Sequence, residues 1–178
     1  KVGAEFIKLL VHETAPTITA MMLCTRVGAG IAAEVGSMMV TEQVDALRMN
    51  GVDPVAYLIV PRFLACLLML PVMTIFATMV SLGTGTAMAY YHFGVNPQIF
   101  LDPTAVAHGD LITGLVKSVS YGAAIPVVSG YCGLTTRGGA EGVGSSTTRA
   151  VINASLAVLV LDFIIGTLSF LIFHSRFG

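Results

Sequence analysis

Four ionisable side chains lie within stretches that are otherwise apolar, and their types could support chemistry inside a membrane. His12 and Glu13 lie in the first such stretch, Lys117 in the third, and Asp162 near the middle of the last. A charge at the centre of a spanning helix costs about 2.5–3.5 kcal/mol, so such residues usually face a partner or a wet cavity. Two interpretations fit them: a structural ion pair, or a relay that carries protons in a transporter.

The rest of the sequence offers little to an enzyme. The four histidines form no HExxH or other paired pattern, and no nucleophile has a base at a motif spacing. The three cysteines lie far apart, without the spacing of metal ligands. With 9 basic and 10 acidic residues, the net charge of −1 gives no support to nucleic-acid binding. We therefore expect no catalytic residue, no metal and no nucleic-acid partner.

The composition indicates a membrane protein. Hydrophobic residues make up 55% of the chain, and the mean hydropathy is +0.85. Charged residues make up 11%, against roughly 25% in an ordinary soluble domain. Because so few polar side chains cannot cover a folded domain of 178 residues, a soluble monomer is not expected.

The gaps between charges predict four membrane-spanning helices in one domain over 1–178. A span needs about 20 mostly apolar residues, and the long uncharged runs lack the two-residue alternation of barrel strands. The predicted spans are 3–33, 63–92, 110–133 and 150–173. The fold class is therefore all-α and polytopic. Because the chain begins with Lys1 rather than Met, we expect it to be part of a longer protein.

The arginines predict the orientation. Arg48 and Arg62 lie in one predicted loop, and Arg137 and Arg149 in another, whereas 94–109 holds neither lysine nor arginine. The two arginine-bearing loops are separated by two spans, so they lie on the same side of the membrane. By the positive-inside rule that side is the cytoplasm.

The polar segment between the first two spans predicts an amphipathic helix over about 34–50. Apolar residues recur there at helical spacing, and Gly51 and Pro54 end the pattern. A helix that lies on lipid headgroups usually favours lysine and arginine, whereas this polar face is mixed and mildly acidic. That balance favours a protein partner. The candidate contact residues are Glu34, Thr41, Glu42, Gln43, Asp45 and Arg48.

Lys117 and Asp162 lie at similar predicted depths on consecutive, antiparallel spans. Counted from the shared cytoplasmic loop at 1.5 Å per residue, the two depths differ by about one helical turn. Opposite charges at one depth lower the insertion cost of both. We hypothesise an ion pair within one subunit; the alternative is that Lys117 contacts a lipid phosphate.

Several short motifs are spread along the chain. They are EVGSM at 34–38, TEQVDAL at 41–47, GVDP at 51–54, YLIVPR at 57–62, TTRAV at 147–151, ASLAVL at 154–159 and LDF at 161–163. Together they closely resemble the signature of the MlaE/YrbE family, the permease subunits of MCE-type ABC transporters. The resemblance covers nearly the whole chain, and the block from Thr41 to Arg62 is specific.

The resemblance implies a five-span permease, of which this chain would lack an N-terminal interface helix and the first span. It implies a homodimer in the bacterial inner membrane, flanked by two ATPase subunits that hold ATP and magnesium, and capped by a hexameric MCE-domain protein. Such a complex moves phospholipid between the inner and outer membranes. The 34–50 segment would be the helix that couples the permease to its ATPase.

Two other classes stay open at this point. A proton-coupled secondary carrier would use His12, Glu13, Lys117 and Asp162 as a relay and would need no ATPase. A structural membrane subunit would transport nothing. Co-purification of an ATPase with a Walker motif would separate the permease from both.

Overall fold

The structure is a computed structural model that describes residues 9–94 and 108–174. Within them α1 covers Leu10–Val40, α2 covers Gln43–Met49, and α4 and α5 cover His108–Leu134 and Gly139–His174. Between α2 and α4, α3 begins with a π-helical turn over Val55–Ile59 and continues as an α-helix over Val60–Phe93. No strand occurs in these described ranges. The predicted all-α fold with four candidate spans is confirmed.

Helix α4 lies at the centre of the bundle and packs against α1, α3 and α5. Its buried face carries Tyr121 and Ile125, which meet Leu70 of α3 and Val158 of α5. Backbones approach closely where α4 has glycine: a Cβ added at Gly122 would lie 2.9 Å from the carbonyl oxygen of Cys66. Small residues allow such approach in membranes, where lipid tails are as apolar as the side chains and dispersion contacts hold helices together.

Helix α1 is irregular in a way that the sequence did not indicate. It contains two π-helical stretches, Leu10–Thr14 and Cys24–Gly28. The first holds His12 and Glu13 and leads into Pro16, which lacks the amide hydrogen of a regular helix. The second holds Arg26. Each π stretch fits more residues into a turn than an α-helix does, so it changes the rotational position of the residues that follow it.

The prediction of one amphipathic helix over 34–50 is wrong. Residues up to Val40 continue α1, the chain turns at Thr41 and Glu42, and α2 begins only at Gln43. Packing is the reason, because Val35 and Gly36 are buried against the C-terminal end of α4 and the residues that follow it. There an added Cβ on Gly36 would lie 2.8 Å from Thr136 Oγ1.

Three other predicted bounds also differ. The first span ends at Val40 rather than 33; its predicted start at residue 3, like most of the 94–109 loop, lies outside the described residues. Helices α3 and α5 begin at Val55 and Gly139, well before the predicted 63 and 150. At 1.5 Å per residue α5 is about 54 Å long, so it extends beyond a hydrocarbon layer of about 30 Å. In these helices a charged residue therefore does not mark the end of the helix.

Candidate functional site

Three ionisable residues from three different helices meet inside the bundle. Lys117 of α4 places its Nζ 2.6 Å from Glu13 Oε2 of α1 and 2.9 Å from Asp162 Oδ1 of α5. The first π-helical stretch of α1 brings Glu13 to α4, where Gly114 lets the backbone of Val11 approach closely. The hypothesised Lys117–Asp162 pair is therefore present, joined by a second carboxylate. We call Glu13, Lys117 and Asp162 the ion cluster.

Hydroxyl groups hold Asp162 in the ion cluster. Tyr121 donates its phenolic hydrogen to Asp162 Oδ1 at 2.6 Å, and Thr17 donates to the same oxygen at 3.4 Å. Neither residue was predicted from the sequence. Thr17 follows Glu13 by four residues, and Tyr121 follows Lys117 by four, so each lies on the helix face of its charged neighbour. That spacing was the available signal.

His12 lies at the edge of the ion cluster. Its Nδ1 is 2.9 Å from Glu13 Oε1, the oxygen that does not bind Lys117. The four ionisable residues singled out in the sequence are thus brought together. Among the residues that the structure describes, no group of three or more His, Cys, Asp or Glu side chains could hold a metal ion.

The ion cluster encloses its cation. The Lys117 side chain is fully buried, whereas 41% of Glu13 and 23% of Asp162 remain exposed. A buried ammonium needs an opposite charge, since removing the partner of a buried ion costs about 3–5 kcal/mol. Lys117 Nζ binds both carboxylates and has no exposed surface, which favours the ion-pair hypothesis over a contact between Lys117 and a lipid phosphate. The arrangement ties α1, α4 and α5 together at one depth.

The second candidate site is the turn between α1 and α3 that carries α2. Thr41 donates its hydroxyl to the carbonyl of Ser37, and Glu42 adopts the left-handed conformation with φ of 59°. Gln43 then begins α2 with its side chain exposed. The left-handed residue turns the chain sharply between two helices, which is why α1 and α2 do not merge.

Helix α2 is anchored by Val44 and, in part, by Leu47, and it exposes its other side chains. Val44 is buried against α1 and α3, whereas Asp45 and Arg48 form an exposed pair at 2.9 Å. Met49 is 90% exposed at the end of the helix. An isolated exposed pair contributes little to stability, so Asp45 and Arg48 are not needed to hold α2 in place.

Glu34 lies away from α2, on the exposed side of α1. Its carboxylate binds the guanidinium of Arg62 near the start of α3. The sequence interpretation assigned Glu34 to the same helix as Asp45, and the structure separates them. The Glu34–Arg62 pair instead joins the two helices that flank α2.

The family model described as Permease MlaE matches residues 2–168 of this chain. Among curated proteins, a probable ABC transporter permease protein of Synechocystis is 41% identical over 171 residues. A probable ABC transporter permease protein of Rickettsia felis is 37% identical over 163 residues. The chloroplastic protein TRIGALACTOSYLDIACYLGLYCEROL 1 of Arabidopsis thaliana is 37% identical over 161 residues.

These alignments cover most of this chain and only part of each relative. They include 95%, 90% and 89% of the chain for the Synechocystis, Rickettsia and Arabidopsis proteins respectively. They include 65%, 63% and 46% of those proteins in the same order. The chain thus spans less than two thirds of the length of the relatives it matches.

Proposed function

Because this chain belongs to the MlaE family of ABC transporter permeases, we propose that it moves phospholipid between the inner and outer membranes of a bacterium. The observation that carries the proposal is the family match over residues 2–168. Four candidate spans and the absence of an enzyme motif fit a subunit that transports rather than catalyses.

A lipid substrate is supported by one relative in particular. The Arabidopsis relative is named for trigalactosyldiacylglycerol, which is a membrane lipid with two acyl chains. The exposed surface of the spans is apolar, with large side chains such as Met22, Phe76 and Phe163 outermost. Phospholipid shares its acyl chains with that lipid and differs in the headgroup.

We propose that ATP hydrolysis in a separate subunit drives the movement through α2. The partner ATPase would hold ATP and magnesium, and its closure would push on the exposed face formed by Glu42, Gln43, Asp45, Arg48 and Met49. Val44 connects α2 to α1 and α3, so a displacement of α2 would reach both spans. A ligand moves only if its affinity differs between the two resulting conformations.

The proposed assembly contains two copies of this chain, two ATPase subunits and a hexameric MCE-domain protein in the inner membrane. Membership of an ABC permease family favours ATP over a proton gradient as the energy source. In this assembly the ion cluster would keep α1, α4 and α5 together while α2 transmits the motion.

The test is reconstitution of the full-length permease with its ATPase in liposomes that contain a fluorescent phospholipid. We expect ATP-dependent transfer of the lipid to acceptor vesicles through the MCE-domain protein, and no transfer with an ATPase that cannot hydrolyse ATP. Transfer that continues without the ATPase and stops with a protonophore would instead establish the proton-coupled carrier.

A further inference from the structure

Arg26 is a charged residue of the spanning region that the ion cluster does not use. It is exposed on the π-helical stretch Cys24–Gly28, within the candidate span Leu10–Val40. It belongs to none of the ion pairs formed among residues 9–94 and 108–174. Lys117, by comparison, is enclosed by two carboxylates.

The depth of Arg26 follows from neighbouring contacts. Gly36 faces Thr136, two residues past the end of α4, and Gly28 faces Ser129, which lies within α4 and precedes Thr136 by seven residues. Arg26 precedes residue 33, the predicted edge of the first span, by seven residues, or about 10 Å at 1.5 Å per residue. Such a position lies within a hydrocarbon layer about 30 Å thick. An arginine there requires an anionic partner or water.

The face of α1 around Arg26 has a defined order of side chains. Ile18 and Met22 are exposed on the outer side, at 56% and 69%, and Gly30 lies one turn toward the cytoplasm. A Cβ added at Gly30 would have no atom within 4 Å, so the surface of this chain is open at that position. Glu34 follows on the same face, with its carboxylate already bound to Arg62.

This arrangement argues against a symmetric contact of two α1 helices at Arg26. Two copies in one membrane are related by an axis along the membrane normal, so equivalent residues lie at equal depth. Contact through this face near the axis would place Arg26 beside its own copy. Two like charges without a counter-ion in hydrocarbon repel each other, so such a contact would need an anion or water between the two guanidinium groups.

We propose that Arg26 binds the phosphate of a phospholipid whose acyl chains lie along Met22 and Ile18; this inference rests on the proposed function. A guanidinium donates two parallel hydrogen bonds to phosphate oxygens, and the absence of a side chain at Gly30 leaves room for the headgroup. The apolar residues lie on the outer side of the cation, so the lipid would point its acyl chains away from the cytoplasm. Arg26 thus defines a headgroup site inside the spanning region.

The experiment uses the full complex in vesicles of phosphatidylethanolamine and phosphatidylglycerol with radiolabelled phosphate. A photo-crosslinking amino acid replaces Met22 in one preparation and Phe163, an exposed residue of α5, in another. Each preparation is combined with Arg26→Met, Arg26→Lys or Arg149→Met. Arg149 is an exposed arginine on α5, so its replacement is the matched control.

We expect Arg26→Met to lower lipid labelling at position 22 about tenfold. That factor is the loss of affinity expected when one charge-assisted hydrogen bond to the phosphate is removed. Arg26→Lys should retain an intermediate level, and Arg149→Met should change nothing. Labelling at position 163 should be the same in all variants, since it reports the surrounding bilayer.

Two results would overturn the proposal. One is lipid labelling at position 22 that is equal with arginine, lysine or methionine at position 26, or that is absent with all three. The other is a crosslink from position 22 to protein in place of lipid. ATP-driven transfer is measured in the same preparations: if wild type transfers no lipid but labelling depends on Arg26, the headgroup site stands and the transport function fails.

Discussion

At the scale of single residues, Lys117 shows how a charge is accommodated in this bundle. It is fully buried and has two carboxylates, one 104 residues before it and one 45 residues after it. Removing the lysine leaves Glu13 and Asp162 facing each other without a cation. Removing Asp162 leaves Lys117 still paired with Glu13. The two losses should therefore differ in size.

We predict that Lys117→Met lowers the free energy of unfolding by about 3–5 kcal/mol, the effect of breaking a buried ion pair. Asp162→Leu should be milder, and the double variant should be no worse than Lys117→Met alone, because Asp162 is then no longer unpaired. Denaturation of the purified protein in detergent measures each value.

Glu42→Gln is the control, because Glu42 is exposed and lies outside the ion cluster. It measures how much purification and detergent alone change the free energy of unfolding. Simple addition of the two single effects in the double variant would show that Lys117 and Asp162 do not interact energetically.

At the scale of elements, α2 is a short helix held by Val44 and Leu47, and its other side chains are exposed. If its polar face contacts an ATPase, a reversed charge there should weaken the complex without unfolding the permease. The two acidic residues chosen for charge reversal are Glu42, which lies at the turn before α2, and Asp45, which pairs with Arg48.

We predict that Asp45→Lys or Glu42→Lys lowers both ATPase co-purification and lipid transfer, with normal insertion of the permease. Glu141→Lys is the matched control, because Glu141 is also exposed and lies in the first turn of α5. Co-purification and transfer equal to wild type would leave α2 as a helix that lies on headgroups.

The contact between α3 and α4 depends on a missing side chain at Gly122. A Cβ there would lie 2.9 Å from Cys66 O and 3.2 Å from Leu67 Cα, both backbone atoms that cannot rotate away. Gly122→Ala should therefore destabilise the protein by about 1–3 kcal/mol through overpacking. Thermal unfolding in detergent measures the change.

Gly83→Ala is the control for the helical effect of adding a methyl group. Gly83 lies in α3, and an added Cβ would have no atom within 4 Å. This change should be neutral or stabilising by up to about 1 kcal/mol, because alanine favours helix over glycine. Equal effects at the two positions would mean that α3 and α4 are not in close contact.

At the scale of the whole molecule, the direction of each helix follows from the others. Contacts pair Val11 with Gly114 at one end of the bundle and Gly36 with Thr136 at the other, so α1 and α4 run in the same direction. Helices α3 and α5 run opposite to them. The orientation of this bundle in the membrane stays a prediction from the arginines.

Single cysteines in a cysteine-free background test that orientation. Ser37→Cys and Ala140→Cys, both at the end that bears the arginines, should react with an impermeant maleimide only when the cytoplasmic side is accessible. Tyr91→Cys, near the end of α3, should react only from outside. Labelling of positions 91 and 140 from the same side would overturn the assignment.

The sequence by itself determined the number and type of the spans. A hydrocarbon layer excludes unpaired backbone groups, so long uncharged runs must be helices, and their lengths can be counted. The sequence also determined the depth of each charge along its own helix. Lys117 and Asp162 lie at similar depths on consecutive spans, so their pairing could be predicted from the sequence.

Only the tertiary structure decided which helix faces meet. Depth is one coordinate along the chain, whereas the partner of Lys117 depends also on the rotation and tilt of three helices, and these are set by packing. Glu13 reaches Lys117 because α1 has a π-helical stretch beside Gly114, a feature without a signal in the pattern of apolar residues. For the same reason α1 continues to Val40: burial of Val35 and Gly36 against α4 outweighs the polar composition that predicted a helix boundary at residue 34.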